Sequence, residues 1–229
     1  MKLSEVLEEL LTCERDLFLL LNGNHTSFLD GVAWLFSGRI AWLPAAVFLL
    51  VSLTYKVKWR EWLPVLLGIA LVAALCDQFS SHICKPLFMR LRPTHHPDFM
   101  DQVHTVFDYR GGLYGFISGH AANAFGLATF FALLLRNPFV TVTVYVWAAL
   151  VAYSRIYLGV HFISDIVPGA LSGIFFGYLS YMLYKHFRPQ PQPQRLYTPT
   201  RCRSMGIALL ANMVGVFLFS PWLTPLCAP

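Results

Sequence analysis

The chain has 229 residues, 56% of them hydrophobic and only 13% charged, which excludes an average soluble domain and suits the lipid bilayer. Its net charge of +5, from 17 Lys and Arg against 12 Asp and Glu, fits membrane orientation or the binding of anionic groups rather than a grip on nucleic acid. The cysteines Cys13, Cys76, Cys84, Cys202 and Cys227 are odd in number and scattered, so they define neither a disulfide framework nor a metal site.

The pattern predicts an all-α, polytopic membrane protein, one domain over residues 1–229, with six transmembrane helices and an N-terminal amphipathic interfacial helix over residues 1–24. In that first segment Leu3, Val6, Leu7, Leu10, Leu11, Leu17, Phe18 and Leu21 keep helical spacing, and Asn22-Gly23-Asn24 ends it. The same stripe also suits a helix packed on the protein's own flank. Glu5, Glu8 and Glu9 stand where a cleavable signal peptide carries its basic region and apolar core, so the first span is expected to act as an uncleaved signal.

Span one is expected from about Gly31 to Tyr55, with Arg39 near its start, and the basic loop Lys56, Lys58, Arg60 follows. Span two runs from about Trp62 to Ile83 and carries Asp77 and His82 in its last two turns, read as interfacial polar groups. Residues 84–115 form the longest polar connection, holding Lys85, Arg90, Arg92, His95, His96, His104 and Arg110, and long loops in compact domains are often functional. Spans three, four and five are expected near Phe116–Leu135, Phe139–Tyr157 and His161–Tyr184. A basic, Pro- and Gln-rich linker over residues 185–204 precedes span six, about Met205–Leu223.

Six spans divide the cations between two sides. Lys56, Lys58, Arg60, Arg136, Lys185, Arg188, Arg195, Arg201 and Arg203 fall on one, and Lys2, Arg15, Arg39, Lys85, Arg90, Arg92, Arg110 and Arg155 on the other. Lys85, Arg92 and Arg155 have another reason to be where they are, which leaves the first side the more basic and, by the positive-inside rule, cytoplasmic.

Three clusters then share the outer face. Ser154 to Asp165 joins two apolar runs and places a serine, an arginine, a histidine and an aspartate where a membrane protein carries almost nothing ionisable. If His161 opens a helix, Asp165 lies one turn on, where its carboxylate holds one imidazole nitrogen and leaves the other nucleophilic. A lone His-x-x-x-Asp pair is usually an ordinary contact; its company raises its meaning. Lys85 and Arg92, seven apart, lie on one face if helical, although Pro93 discourages helix at Arg92 and Pro86 suits the opening of a short one. Ser118-Gly119-His120 precedes an apolar helical run, so its backbone N–H groups form a phosphate seat, with Ser118 also suited to be the N-cap. Arg155 adds a planar fork of donors.

These three segments, Lys85-(six residues)-Arg92-Pro93, Ser118-Gly119-His120 and Ser154-Arg155-(five residues)-His161-(three residues)-Asp165, resemble the tripartite signature of the type 2 phosphatidic acid phosphatase superfamily. Ile117 departs from the family pattern, which usually has proline before Ser-Gly-His. The resemblance implies a membrane lipid phosphatase, a phosphoric or diphosphoric ester hydrolase. In it His161 attacks phosphorus, Asp165 fixes its tautomer, and His120 protonates the leaving oxygen and then activates water. Lys85, Arg92, Ser118, Gly119 and Arg155 hold the phosphate oxygens. No metal or other cofactor is expected, since these donors suffice, and no obligate protein partner. The expected partners are the bilayer and a lipid phosphate of bacterial type, such as undecaprenyl diphosphate, phosphatidylglycerophosphate, phosphatidate or the phosphates of lipid A. The expected location is the inner membrane, with the site facing the periplasm.

A lipid-to-lipid phosphotransferase would use the same residues. An ion or solute transporter would instead place its charges near the midplane in broken helices, whereas these clusters sit at span ends. His95, His96 and His104 lack a zinc spacing and read as solvated loop histidines. Phe99, Phe107, Tyr109 and Tyr114 are expected to cover the substrate headgroup.

Overall fold

The computed structural model describes residues 14–98, 100–188 and 197–228. The expected interfacial helix over 1–24 therefore lies largely outside the described residues. Its end, α1 over 14–22, is helical and packs on the protein's own flank: Phe18 is fully buried, with its ring 5.3 Å from that of Phe162. The remaining helices are α2 (Ser27–Ser37), α3 (Leu43–Thr54), α4 (Trp59–Asp77), α5 (Lys85–Phe88), α6 (Gly119–Leu135), α7 (Pro138–Tyr157), α8 (Ile163–Phe187) and α9 (Pro199–Cys227). The described residues contain no strand, only an isolated bridge between Leu91 and Tyr114.

Among the described residues four helical runs are long and apolar enough to cross a bilayer: Trp59–Phe88, Pro138–Tyr157, Ile163–Phe187 and Pro199–Cys227. Two departures from expectation concern the rest. The span placed at Gly31–Tyr55 is not one straight helix; it breaks at Gly38–Arg39 with a bend of 74° between α2 and the segment Ile40–Thr54. Gly38 is extended and ends α2, and Pro44, in the first turn of α3, fits a fresh helix start rather than a continuing one. The expected third span, α6, is 17 residues long.

That helix is short because it is central. It packs against α4, α7 and α8, and half or more of its residues are buried. Glycine permits the approach of α8: a Cβ at Gly173 would fall on the Ala122 carbonyl, and one at Gly177 on the Gly126 carbonyl. The rigid α6–α8 pair fixes the N-termini of both helices, which carry Ser118-Gly119-His120 and Asp165, at one end of the bundle.

The opposite end gathers the expected cytoplasmic segments. Arg188 pairs with Glu61 at 2.8 Å, Arg201 donates to the Tyr55 carbonyl at 3.0 Å, and the Tyr197 hydroxyl to that of Leu53 at 3.3 Å. The linker is shorter than expected, because α8 continues to Phe187 and Thr198 caps α9 with Pro199 as its first residue; positions 189–196 lie outside the described residues.

Candidate active site

α4 does not stop at Asp77. It passes through a π-helical segment, Gln78–Cys84, into the single turn of α5, and such segments are frequent at functional sites. Met89 then takes the left-handed conformation (φ 46°) and the chain becomes extended, since Pro93 holds Arg92 out of the helical region (φ −71°, ψ 158°). Lys85 and Arg92 therefore do not share a helix face; a tight turn folds them toward each other. The base of the 84–115 connection is tied by Arg92 N–H to the Leu113 carbonyl (3.1 Å) and Gly115 N–H to that of Arg90 (2.9 Å). Asn22 clamps the same connection to the end of α7, donating to the carbonyls of His104 (3.1 Å) and Tyr157 (2.8 Å) and accepting from His104 N–H (2.8 Å).

The result is a cavity of about 490 Å³ whose wall includes Lys85, Arg92, Gly119, His120, Arg155 and His161. Ionisable groups from all three signature segments thus meet across one space. His161 lies before α8 rather than in it, a correction to the helical reading; Phe162 is the N-cap, and Asp165, in the first turn, accepts Phe162 N–H at 3.0 Å. The wrap brings Asp165 Oδ2 to 3.4 Å from His161 Nδ1, while His161 Nε2 faces Arg92 Nη1 at 3.1 Å. Arg92 is held by two carbonyls, Nε on Tyr114 (3.2 Å) and Nη1 on Val160 (3.0 Å). Arg155, almost wholly buried in the last turn of α7, bonds the Ser37 hydroxyl and approaches the Tyr109 hydroxyl at 3.4 Å.

Ser118 is fully buried, and its hydroxyl accepts Ala121 N–H at 3.4 Å as the N-cap of α6. Its own N–H donates to the Asp165 carbonyl at 3.0 Å, so the two helix starts are bonded together. His120, half-buried, has no side-chain hydrogen bond drawn to it among the described residues and lines the cavity beside Asn123.

Burial pushes the His161 imidazole well below its ordinary pKa, and Arg92, Arg155 and Lys85 push in the same direction. Burial pulls the Arg92 guanidinium down to about 10, with Arg155 adding to it, and at neutral pH it stays charged. For Tyr109 burial raises the phenol, but Arg155, Arg92 and Lys85 outweigh it and hold the group below its usual range. The same cations that repel a proton from His161 attract an oxyanion. With His161 as the expected nucleophile, the neutral form is the active one and is lost as pH falls through the lowered pKa, so the acid limb of kcat/KM should lie below the ordinary histidine value of about 6.5. A pH–rate profile with its acid limb at or above that value contradicts this.

Residues that sequence reasoning left out complete the site. Arg90, 1% exposed, donates from Nη1 to Asp165 Oδ1 (2.8 Å) and from Nη2 to Glu14 Oε1 (2.7 Å). Glu14 also accepts from the N–H (2.9 Å) and hydroxyl (2.5 Å) of Ser164. The Arg90 guanidinium stacks 4.5 Å from the Phe162 ring centroid. Asp77, read as interfacial, and Arg39, at the break after α2, both line the cavity. The loop histidines are not simply solvated: His96 is buried, and His104 stacks on His25 with centroids 3.5 Å apart, beside an Asp30 that binds His25 (2.7 Å) and Tyr157 (2.8 Å). Of the expected headgroup-covering aromatics Tyr109 lines the cavity, Phe107 packs edge-on to Trp34, and Phe99 lies outside the described residues.

Fold and site together define an integral membrane protein of helical type with a cavity lined by three buried or half-buried cations, Lys85, Arg92 and Arg155, and two histidines. Residues 61–189 match the model of the PAP2 superfamily, and the chain belongs to that superfamily. It is 41% identical to a lipid A 4'-phosphatase of Porphyromonas gingivalis over 225 residues, covering 95% of each chain. A lipid A 4'-phosphatase of Bacteroides thetaiotaomicron is 36% identical, over 94% of this chain and 98% of that one. The crystal structure of LpxE from Aquifex aeolicus superposes with a TM-score of 0.53 at 27% identity, over 74% of this chain and 95% of that one.

Proposed function

We propose that this PAP2-type lipid phosphatase removes the 4'-phosphate of a lipid A-type glycolipid by a metal-independent, two-step mechanism. The observation that carries the reaction is the His161–Asp165 pair facing one cavity with Lys85, Arg92, Arg155 and His120. The glycolipid is supported by the near end-to-end likeness to relatives of that name.

Lys85, Arg92 and Arg155, with the Ser118 and Gly119 segment at the start of α6, hold the non-bridging phosphate oxygens. Arg92 exchanges its contact with His161 Nε2 for one with phosphate, which frees the Nε2 lone pair. Nε2 attacks phosphorus, the bond from phosphorus to the sugar oxygen breaks, and His120 gives that oxygen its proton. Asp165 fixes the Nδ1–H tautomer and balances the positive phosphohistidine. Water then attacks phosphorus, His120 takes its proton, and inorganic phosphate leaves with His161 restored. Three fixed cations supply the charge stabilisation that a metal ion would otherwise give.

The chain crosses the inner membrane six times in this reading, with the bent α2–α3 pair as the first crossing and α6 as the third. The side bearing Lys56–Arg60 and Arg188–Arg203 is cytoplasmic, and the site opens to the periplasm.

Purified protein in detergent with EDTA should release phosphate from lipid A, and do so faster than from undecaprenyl diphosphate, phosphatidylglycerophosphate or phosphatidate. Loss of activity that only a divalent ion restores contradicts the metal-free mechanism. Preference for another lipid contradicts the substrate, and transfer of labelled phosphate to a second lipid makes the protein a phosphotransferase.

A further inference from the structure

A second cavity of about 360 Å³ adjoins the phosphate cavity and runs from Trp42 and Trp147 toward the other end of the bundle, where Leu53, Leu135 and Val140 line it. Its wall is made by α3, α4, α6, α7 and α9, and no charged residue contributes to it. The two cavities share Trp42, Leu127 and Trp147. The Trp42 and Trp147 rings meet edge to face at 5.8 Å, so an aromatic collar separates the polar compartment from the apolar one. Small side chains, Ala45, Ala46 and Ala128, with Gly206 opposite, keep the lower space open.

Its depth is informative. The lining runs from Trp42, the N-cap of α3, along that helix to Leu53, and eleven steps at about 1.5 Å each make roughly 16 Å. That is about half of a hydrocarbon core of roughly 30 Å, the depth of one leaflet.

We infer that this apolar cavity seats one acyl chain of the substrate, which enters past Trp42 and Trp147 while the phosphate sits above at His161. The inference rests on the lipid phosphatase reading and adds to it a chain-binding subsite. Continuity with the phosphate cavity singles out the substrate's own chain over a bulk lipid: a chain anchored there is joined through the collar to a headgroup at the nucleophile. The bilayer already solvates the chain, so the subsite contributes little through removal from water. Its contribution is orientation, since a chain fixed below the collar limits how the phosphate can lie against Nε2. The break at Gly38–Arg39 serves the same end. It swings α3 away from the line of α2, and so places Trp42 at the collar and Arg39 in the wall of the phosphate cavity.

The test fills the cavity and compares two substrates with one phosphorylated headgroup, a long-chain lipid and a short-chain analogue that cannot reach past the collar. Ala46→Trp on α3 and Leu209→Trp on α9 fill it from opposite walls and touch no residue of the phosphate site. Each should lower kcat/KM for the long-chain lipid by about tenfold or more and leave the short-chain analogue within about twofold. Equal loss on both substrates, or no loss on either, overturns the subsite. A wild-type protein that hydrolyses neither substrate sinks the phosphatase reading instead. An independent arm needs no substitution: a long-chain lipid phosphate with a photoreactive group at its chain end should label α3 or α9 residues of this cavity, and labelling confined to the outer lipid-facing surface overturns the proposal.

Discussion

Replacement of His161 by alanine should abolish phosphate release, with kcat falling about 10⁴-fold or more while the protein still folds and binds its lipid. The size follows from the position. Nε2 is the ring nitrogen that faces the cavity, and Nδ1 is turned to Asp165. His120 is the other imidazole of the cavity and already serves as acid and base in the proposed cycle. The side chain is 1% exposed, so its loss leaves a cavity, but Arg92 keeps its bonds to the Tyr114 and Val160 carbonyls and Asp165 its bonds to Arg90 and Phe162 N–H. Stability in detergent should therefore change little beside the change in rate. Residual release within tenfold of wild type would require a different nucleophile.

Arg90→Ala has the second-largest expected effect, and it acts on both stability and rate. Asp165 has no solvent exposure, and Arg90 is the cation bonded to its Oδ1. Removal of one member of a buried ion pair strands the other charge, at about 3–5 kcal/mol. The loss here extends to Glu14, which loses its ion pair and keeps its bonds to Ser164 as ties between α1 and the start of α8. A stranded carboxylate takes up a proton or moves, and either change spoils its hold on His161. Arg90→Lys keeps the charge but lacks the planar fork that reaches Glu14 and Asp165 together, and it should fall between alanine and wild type in both melting temperature and kcat. Unfolding in detergent alongside kinetics checks this; a variant with wild-type stability and rate contradicts the role given to Arg90.

How far the sequence reached is clearest at these residues. Type and spacing single out Lys85, Arg92, Arg155, His120, His161 and Asp165 as candidates in the sequence, and the structure gathers them at one end of the bundle. Helical periodicity and apolar length located α4, α7, α8 and α9. The local backbone was less legible. Proline after Arg92 warned against helix, but the left-handed Met89 that turns the chain has no marker of its own, since methionine rarely adopts positive φ. The break after α2 hides in an apolar run interrupted at Ser37-Gly38-Arg39, with that interruption and Pro44 as its signals. Glu14 and Arg90 are 76 positions apart, and only tertiary packing brings them together. A charge off the apolar stripe of that helix reads as solvated until the helix is seen to dock against α8.

The most direct test of the central claim is to trap the intermediate. Protein mixed with lipid carrying a labelled phosphate and quenched in base within the first turnover should hold the label as an acid-labile phosphohistidine at position 161, found by peptide mapping and absent from the His161→Ala variant. Full label release with no protein-bound phosphate under conditions where hydrolysis slows, or label on another residue, would contradict the two-step mechanism.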